Sequence, residues 1–379
     1  MRSFFICLAT TFTIVLFGQF SLQGCSTPPT VSNDAGTGNK DAGTNPPKTL
    51  RCSTSLGTNV NADCTDGKDC VSQRDCTTLN KTTNKGICLS KICATLPTED
   101  ATTGKDGKGT PDLSCLDKAP ELPKGPEKAT YWGPVETFGL DKDTDGIKVE
   151  IFEYNDNGKL DKPIGSTTST NEDDKSCKDA CTGGKICFQG SCHKKSTSDN
   201  NKVGYFAIKD VPTNKLLVFR TSGPELVTTI QYFLWVPADK VKDGRYKERA
   251  FVITNTTKSL IPPSAGISAI HPGNSAIAGE IQDCTGKQIE NSTVTLSVLS
   301  NKLAYFNAET ERPDRTLNAT SNSGIYSALN IKVANEGVVR LVAAAKVGGK
   351  TKLVADFKAR LFPDGITILT TNPWFPGKK

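Results

Sequence analysis

The sequence predicts an all-β protein: two β-sandwiches, small disulfide-rich segments, and a disordered N-terminal tether. Three observations carry that expectation. Short runs alternate apolar and polar side chains with period two, while no long stretch has helical periodicity. Gly and Pro, 33 and 21 of the 379 residues, separate those runs with turn signals. Fourteen cysteines crowd into short polar stretches. The low hydrophobic and aromatic fractions, 36% and 7%, argue against a multi-span membrane protein or a helical bundle. Lys and Arg exceed Asp and Glu by 46 to 40, and the excess is spread along the chain, so no basic stripe points to nucleic acid.

The first element sets the compartment. Arg2 precedes an uncharged apolar stretch from Phe4 to Leu22, which ends in Leu22-Gln23-Gly24-Cys25-Ser26. A spanning helix would fit the length, but the short charged flank and the small residue before cysteine favour a signal peptide over residues 1–24. Leu22 to Cys25 resembles the lipobox of bacterial lipoproteins, with Gln23 an unusual occupant. The resemblance implies that Cys25 is acylated and becomes the new N-terminus. It also implies, through Ser26, an outer-membrane address, so that the membrane itself is a partner. Two or three acyl chains on one residue anchor durably, each buried methylene contributing about 0.8 kcal/mol. Residues 25–50 follow as a linker, in which Asp34-Ala35-Gly36-Thr37 recurs as Asp41-Ala42-Gly43-Thr44 with almost nothing apolar to bury. As a flexible coil it would span roughly 25 to 30 Å.

With Cys7 and Cys25 removed from the count, twelve thiols are left, an even number suited to disulfides in an exported chain. Seven lie in the Cys-rich segment 51–118 (Cys52, Cys64, Cys70, Cys76, Cys88, Cys93, Cys115), four between Cys177 and Cys192, and the last is Cys284. Two clusters share a pattern. Cys70, Cys76, Gly86-Ile87-Cys88 and Cys93 answer to Cys177, Cys181, Lys185-Ile186-Cys187 and Cys192. Both resemble the short Cys-rich knots of deltaproteobacterial and myxobacterial lipoproteins. Zinc is the competing reading, but no gap here is a Cys-x-x-Cys knuckle, and an oxidising compartment disfavours free thiolates. Segments this short and polar depend on cross-links, each contributing about 2 to 4 kcal/mol. Spacing does not choose among the three pairings open to four cysteines. Cys52, Cys64, Cys115 and Cys284 stand outside the shared pattern and are candidates for joining separate regions.

The strands come next. Leu353, Ala355, Phe357, Ala359 and Leu361 alternate with Lys352, Asp356, Lys358 and Arg360. Val294, Leu296 and Val298 alternate with Thr293, Thr295 and Ser297, and Ile147, Val149 and Ile151 alternate until Phe152-Glu153 shifts the phase, as a bulge would. Asn157-Gly158, Thr285-Gly286 and Gly348-Gly349 mark turns. Strands with one wet face and short turns make antiparallel sandwiches.

A longer repeat emerges when these strands are aligned. Tyr131-Trp132-Gly133-Pro134-Val135 answers to Ile277-Ala278-Gly279-Glu280-Ile281, and Gly204-Tyr205-Phe206 answers to Gly324-Ile325-Tyr326. The step from first glycine to last is 71 residues in one copy and 45 in the other, and the difference is about the length of the Cys177 to Cys192 knot with its flanks. The pattern resembles the carboxypeptidase regulatory-like domain, a small prealbumin-like β-sandwich. The second copy is the better match, because the first carries the insertion and Pro134. The resemblance implies a spacer or binding module rather than peptidase chemistry. It gives a prealbumin-like or immunoglobulin-like sandwich over 128–256 with the Cys-rich insertion 171–202, a linker over 257–274, and a second sandwich over 275–372.

Sharper local motifs are few. Ala344-Ala345-Lys346-Val347-Gly348-Gly349-Lys350-Thr351 fits a relaxed phosphate loop, but a strand rather than a helix follows it, so a hairpin turn is expected and no nucleotide. Asp141, Asp143 and Asp145 open like a calcium loop, closed by Gly146. The twelfth position, where a full loop places Glu, is Phe152, so a solvated turn competes with a partial calcium site. Trp132 and Trp235 are expected in a sandwich core, and Trp374 against a strand edge. His193 and His271, the two histidines, show no neighbouring Ser, Cys or carboxylate constellation in sequence, and no catalytic residue is singled out. The expectation is a structural, adhesive or ligand-binding envelope protein, its partner a polysaccharide or another envelope protein. The alternative is an enzyme or accessory module on envelope glycans or peptides, which would need paired carboxylates about 5 to 10 Å apart.

Overall fold

The computed structural model describes residues 69–71, 85–89, 92–104, 107–116, 118–139, 142–155, 157–298, 300–333, 337–371 and 373, with backbone alone at 69–71, 85–89 and 92–93. Cys25, Cys52, Cys64, Cys76, Asp141 and Trp374 lie outside the described residues, as do the side chains of Cys70, Cys88 and Cys93. The described residues belong to one compact unit, 49–379. No helix among them is long and apolar enough to cross a membrane.

The strands before the first sandwich are β1 (Asp69–Val71), β2 (Lys85–Leu89), β3 (Ile92–Thr95) and β4 (Thr102–Thr103). The first repeat copy supplies β5 (Lys128–Phe138), β6 (Lys148–Glu153), β7 (Gly165–Thr168), β8 (Lys185–Phe188), β9 (Ser191–Lys194) and β10 (Tyr205–Pro212). After it come β11 (Leu216–Ser222), β12 (Leu226–Val227), β13 (Thr229–Trp235), β14 (Arg245–Lys247) and β15 (Ala250–Thr254). The second region contains β16 (Asn274–Glu280), β17 (Ile289–Glu290), β18 (Thr293–Leu296), β19 (Lys302–Phe306) and β20 (Pro313–Asp314). It ends in β21 (Ile325–Lys332), β22 (Val338–Val347), β23 (Lys350–Arg360) and β24 (Ile366–Leu369).

Three layers result. The middle one is a nine-stranded sheet, β20-β19-β21-β16-β24-β13-β11-β6-β7, to which both regions contribute. The sheet built on β10, β5 and β15 covers one face of it, enclosing Tyr131, Val149, Ile151, Phe206 and Phe219. The sheet β18-β22-β23 covers the other face, enclosing Phe152, Val218, Tyr232, Val294, Tyr326 and Phe357. The two sandwiches therefore share their middle sheet. The four-residue β24 closes it, running parallel to β13 on one side and β16 on the other.

This arrangement corrects two readings of local pattern. β6 pairs with β11 in unbroken register through Phe152↔Val218, so Phe152-Glu153 is no bulge. The phase shift marks a strand buried on both faces, with Val149 and Ile151 in one core and Phe152 in the other. Likewise Thr293 and Thr295 do not face water. Thr293 Oγ1 donates to the Thr95 carbonyl at 2.5 Å and Thr295 Oγ1 accepts from the Thr95 amide at 3.2 Å, so the end of β3 covers them. The alternation of β23 holds from Ala355 onward, with Ala355, Phe357 and Ala359 buried and Lys358 exposed, but its register shifts between Leu353 and Ala355, so Val354 joins that core and Leu353 packs against Ala94, Val342 and Ala344 on the other face.

Residues 257–274, taken from the sequence as a linker, carry most of helix α1 (Asn255–Ala265). Thr254 caps its N-terminus by accepting from the Thr257 amide, and Gly266 ends it in the left-handed conformation. Pro262 and Pro263 in its last turn weaken the helical pattern that sequence periodicity looks for. Ile261 and Ala265 pack it against Ala276, Ala304 and Leu329.

The repeat is visible as register. Gly133 on β5 lies opposite Phe206, and Gly279 on β16 lies opposite Tyr326. Each glycine also admits a close parallel backbone: a Cβ at Gly133 would stand 1.9 Å from the Glu248 carbonyl oxygen, and one at Gly279 would stand 1.9 Å from that of Leu369.

Candidate functional site

The feature that distinguishes the first copy is the Cys-rich knot inserted between β7 and β10. Its frame is the hairpin β8–β9, joined at Gln189 and Gly190, both with positive φ as a tight two-residue turn requires. Cys187 and Cys192 face each other across the hairpin, yet neither bonds to the other. Cys187 pairs with Cys177 and Cys192 with Cys181, which ties the preceding loop to the hairpin twice. The Asp174 carboxylate accepts from the amides of Ser176 at 2.9 Å and Gln189 at 2.6 Å. Burial pushes that carboxyl up, but the Ser176 and Gln189 hydrogen bonds and nearby Arg245 outweigh it, and its pKa is lowered overall. Arg245 also donates to the Gln189 carbonyl, pinning the hairpin tip.

The inner face of the knot docks on β5 and β10 through aromatic rings. Trp132 sits 6.1 Å from Phe188 and 5.2 Å from His193, and His193 sits 5.2 Å from Tyr205. Trp132 is thus buried as the sequence suggested, but between sandwich and knot rather than inside the sandwich. Tyr205 Oη donates to the Lys194 carbonyl at 2.8 Å, and desolvation followed by the charge of Glu136 pushes its pKa up to about 12. The ammonium of Lys247 lies 5.0 Å over the Trp132 ring. Burial and then Lys247 lower the pKa of His193, against weaker support from the Phe188 backbone and Asp174. The local sequence pattern alone assigns this histidine no partner. The structure supplies one, because residues two apart on a strand share a face: Ser191 Oγ is 2.9 Å from His193 Nε2. The ring is held by flanking aromatics and a backbone group, so the pair fixes its orientation in the dock.

The second region offers a pair of acids that sequence spacing did not reveal. Glu280, at the end of β16, accepts from Gln282 at 2.9 Å and from Gln288 at 3.4 Å. Desolvation raises its pKa, the glutamines partly offset this, and Glu311 raises it further. Glu311 is also raised, by burial.

The aspartates of the calcium-like loop act as staples. Asp143 accepts from the Lys202 amide at 2.8 Å, Asp145 from the Asn171 amide at 2.9 Å, and Thr144 Oγ1 from the Gly204 amide at 2.9 Å. Together they tie the turn before β6 to both ends of the knot. Among the described residues the side chains that converge as metal ligands would are Cys177, Cys181 and Cys192, all three engaged in disulfides. The third disulfide, Cys115–Cys284, spans 169 residues and fixes the segment before the first sandwich to the second region. Around it the Cys284 amide donates to the Asp112 carbonyl at 2.9 Å, and β4 pairs with β17.

No known family model matches the chain, and no curated protein matches it. Among solved structures, a mutant of the shaft pilin SpaA from Lactobacillus rhamnosus GG is similar at 10% identity and a TM-score of 0.18, over 65% of this chain and 98% of that one. A superposition that poor places no constraint on this chain.

Proposed function

We propose that this protein is displayed outside the cytoplasm, anchored in the outer membrane by an acylated Cys25, and that its role is structural, adhesive or ligand-binding. The observation that carries the proposal is covalent: three disulfides cross-link the described residues, one of them closing 169 residues, and such bonds persist in oxidising compartments. The two Gly–aromatic registers further support reading both regions as carboxypeptidase regulatory-like modules, the first bearing the knot as an appendage.

Mass spectrometry of the protein purified unreduced from its own membrane tests this reading. The expected result is an acylated Cys25 as first residue, together with Cys115–Cys284, Cys177–Cys187 and Cys181–Cys192 peptides. An intact Met1 with free thiols at those six positions would overturn it.

A further inference from the structure

We propose that the outer face of the β8–β9 knot binds an anionic polysaccharide, one carrying carboxylate or phosphate groups. This names a partner class for the display role above and rests on that reading for where such a polymer is met. Lys185 and Lys194 are directly opposed across the hairpin, on the face that points away from Trp132. Like charges in that relation are destabilising, and an anion lying between them relieves the repulsion. Lys195 follows at the same end of the hairpin, where its amide donates to the Gly184 carbonyl at 3.3 Å, and Lys178 lies on the disulfide-tied loop. All four are exposed. Among the described residues none of them is in an ion pair. Asp173 and Asp174, on the loop before the hairpin, are bonded to the amides of Cys187 and Gln189.

Three features favour a sugar polymer over other anions. Among the described residues the large exposed apolar side chains are Leu116, Leu122, Phe138 and Leu260, none of them in the knot, so the face lacks the apolar anchor of a protein or membrane contact. Lysines, rather than arginines, supply point charges without the fork geometry that selects a bidentate partner. Around the lysines stand Thr182 and the open Gly183-Gly184 corner, where an added Cβ would meet nothing within 4 Å, so a hydroxyl-rich chain can approach the backbone. Two disulfides pre-organise the surface, which lowers the entropic cost of binding.

The test uses the full oxidised chain in detergent, with polygalacturonate as probe, dextran as the neutral control, and anionic phosphatidylglycerol vesicles as the lipid control. Polygalacturonate is expected to bind, more weakly as salt rises from about 50 to about 300 mM. The Lys185→Gln/Lys194→Gln/Lys195→Gln variant should bind about tenfold more weakly while melting no lower than the parent. A Lys350→Gln/Lys352→Gln variant in the second region should bind like the parent. Equal binding by the knot variant, equal binding of dextran, or binding of vesicles alone would overturn the inference. A knot variant that failed to fold would be replaced by acetylation of the folded protein, in which protection of Lys185, Lys194 and Lys195 by polygalacturonate is expected and its absence would count against the site. Because binding is measured on purified protein, its failure leaves the disulfide and acylation result above standing, and the reverse.

Discussion

The two copies of the repeat share a register but are secured in opposite ways. In the first, a local knot with bonds spanning 10 and 11 residues is laid on the surface of the sandwich through an aromatic dock. In the second, a bond spanning 169 residues ties a distant segment down, and that segment covers strand faces that would otherwise be wet. The lesson is that similar strand pairs become different bodies according to what is cross-linked onto them. Length of the closed loop then decides the size of the effect. Chain-entropy arithmetic gives about 5 kcal/mol for a loop of the longer kind and about 3 kcal/mol for the shorter. The Cys115→Ser/Cys284→Ser variant should therefore lower the global unfolding midpoint more than Cys177→Ser/Cys187→Ser in denaturant titrations. The knot variant should instead show its loss as faster hydrogen exchange confined to 171–202. A larger global loss from the knot pair would reverse the comparison.

The paired glycines sharpen it at the next level of magnitude. Gly133 and Gly279 are equally crowded, each leaving 1.9 Å between an added Cβ and a carbonyl oxygen. What crowds them differs: beside Gly133 the backbone continues from β14, a three-residue strand, whereas beside Gly279 it continues from β24, which joins the halves of the nine-stranded sheet. Overpacking costs about 1 to 3 kcal/mol, and more where the neighbour has no room to shift. Gly279→Ala should thus lower the calorimetric midpoint more than Gly133→Ala. Equal shifts would mean that β24 yields as readily as an edge strand.

Much of this was legible in the sequence, and the failures share a cause. The later half of β23, from Ala355 to Ala359, alternates as expected because one of its faces is buried, whereas at Leu353 a register shift turns the side chain under Ala94 and breaks the pattern. β6 and β18 did not read true, because covering layers arrive from distant sequence: the β18-β22-β23 sheet lies over Phe152, and the end of β3 lies over Thr293. Period-two reasoning sees a strand and not what lands on its second face. Helix α1 escaped because Pro262 and Pro263 interrupt its apolar pattern, leaving caps as its main signal. The knot was recognisable from Cys spacing, and the structure chose one of three pairings through the loop that Asp174 holds. The Ser191 and His193 contact was within reach of the sequence, since i and i+2 on a strand share a face, had β9 been assigned there. Glu280 and Glu311 had no such signal, being 31 positions apart and brought near only by the fold.

The smallest effect separates the two regions by the sign of their response to acid. His193 has a folded pKa lowered below its ordinary 6.5, so the folded state favours the neutral ring. Its contribution is complete above that value and is lost as pH falls through it, because the unfolded chain then binds a proton that the dock resists. Glu280 has a folded pKa raised above 4.5, so its folded state favours the protonated carboxyl. Its contribution is present at low pH and is lost as pH rises above that value. Acidification from neutral pH should therefore loosen the knot while relieving the second region. The charges facing His193 set the size of the first effect: Lys247 beside Trp132 opposes a second cation, and Asp174 partly offsets it. Tryptophan fluorescence, followed against pH in a Trp235→Phe/Trp374→Phe parent that leaves Trp132 as the emitter and in the same parent carrying His193→Phe, measures it. The parent signal should change as pH drops below about 6.5, and the variant signal should stay flat, since a phenyl ring keeps the stacking and removes the proton. A Glu280→Gln variant should leave the fluorescence change intact while flattening the loss of stability that the parent shows above its carboxyl range. If His193→Phe kept the acid transition, the dock would be answering to another group, and the division between a pH-loosened knot and an acid-favoured second region would fail.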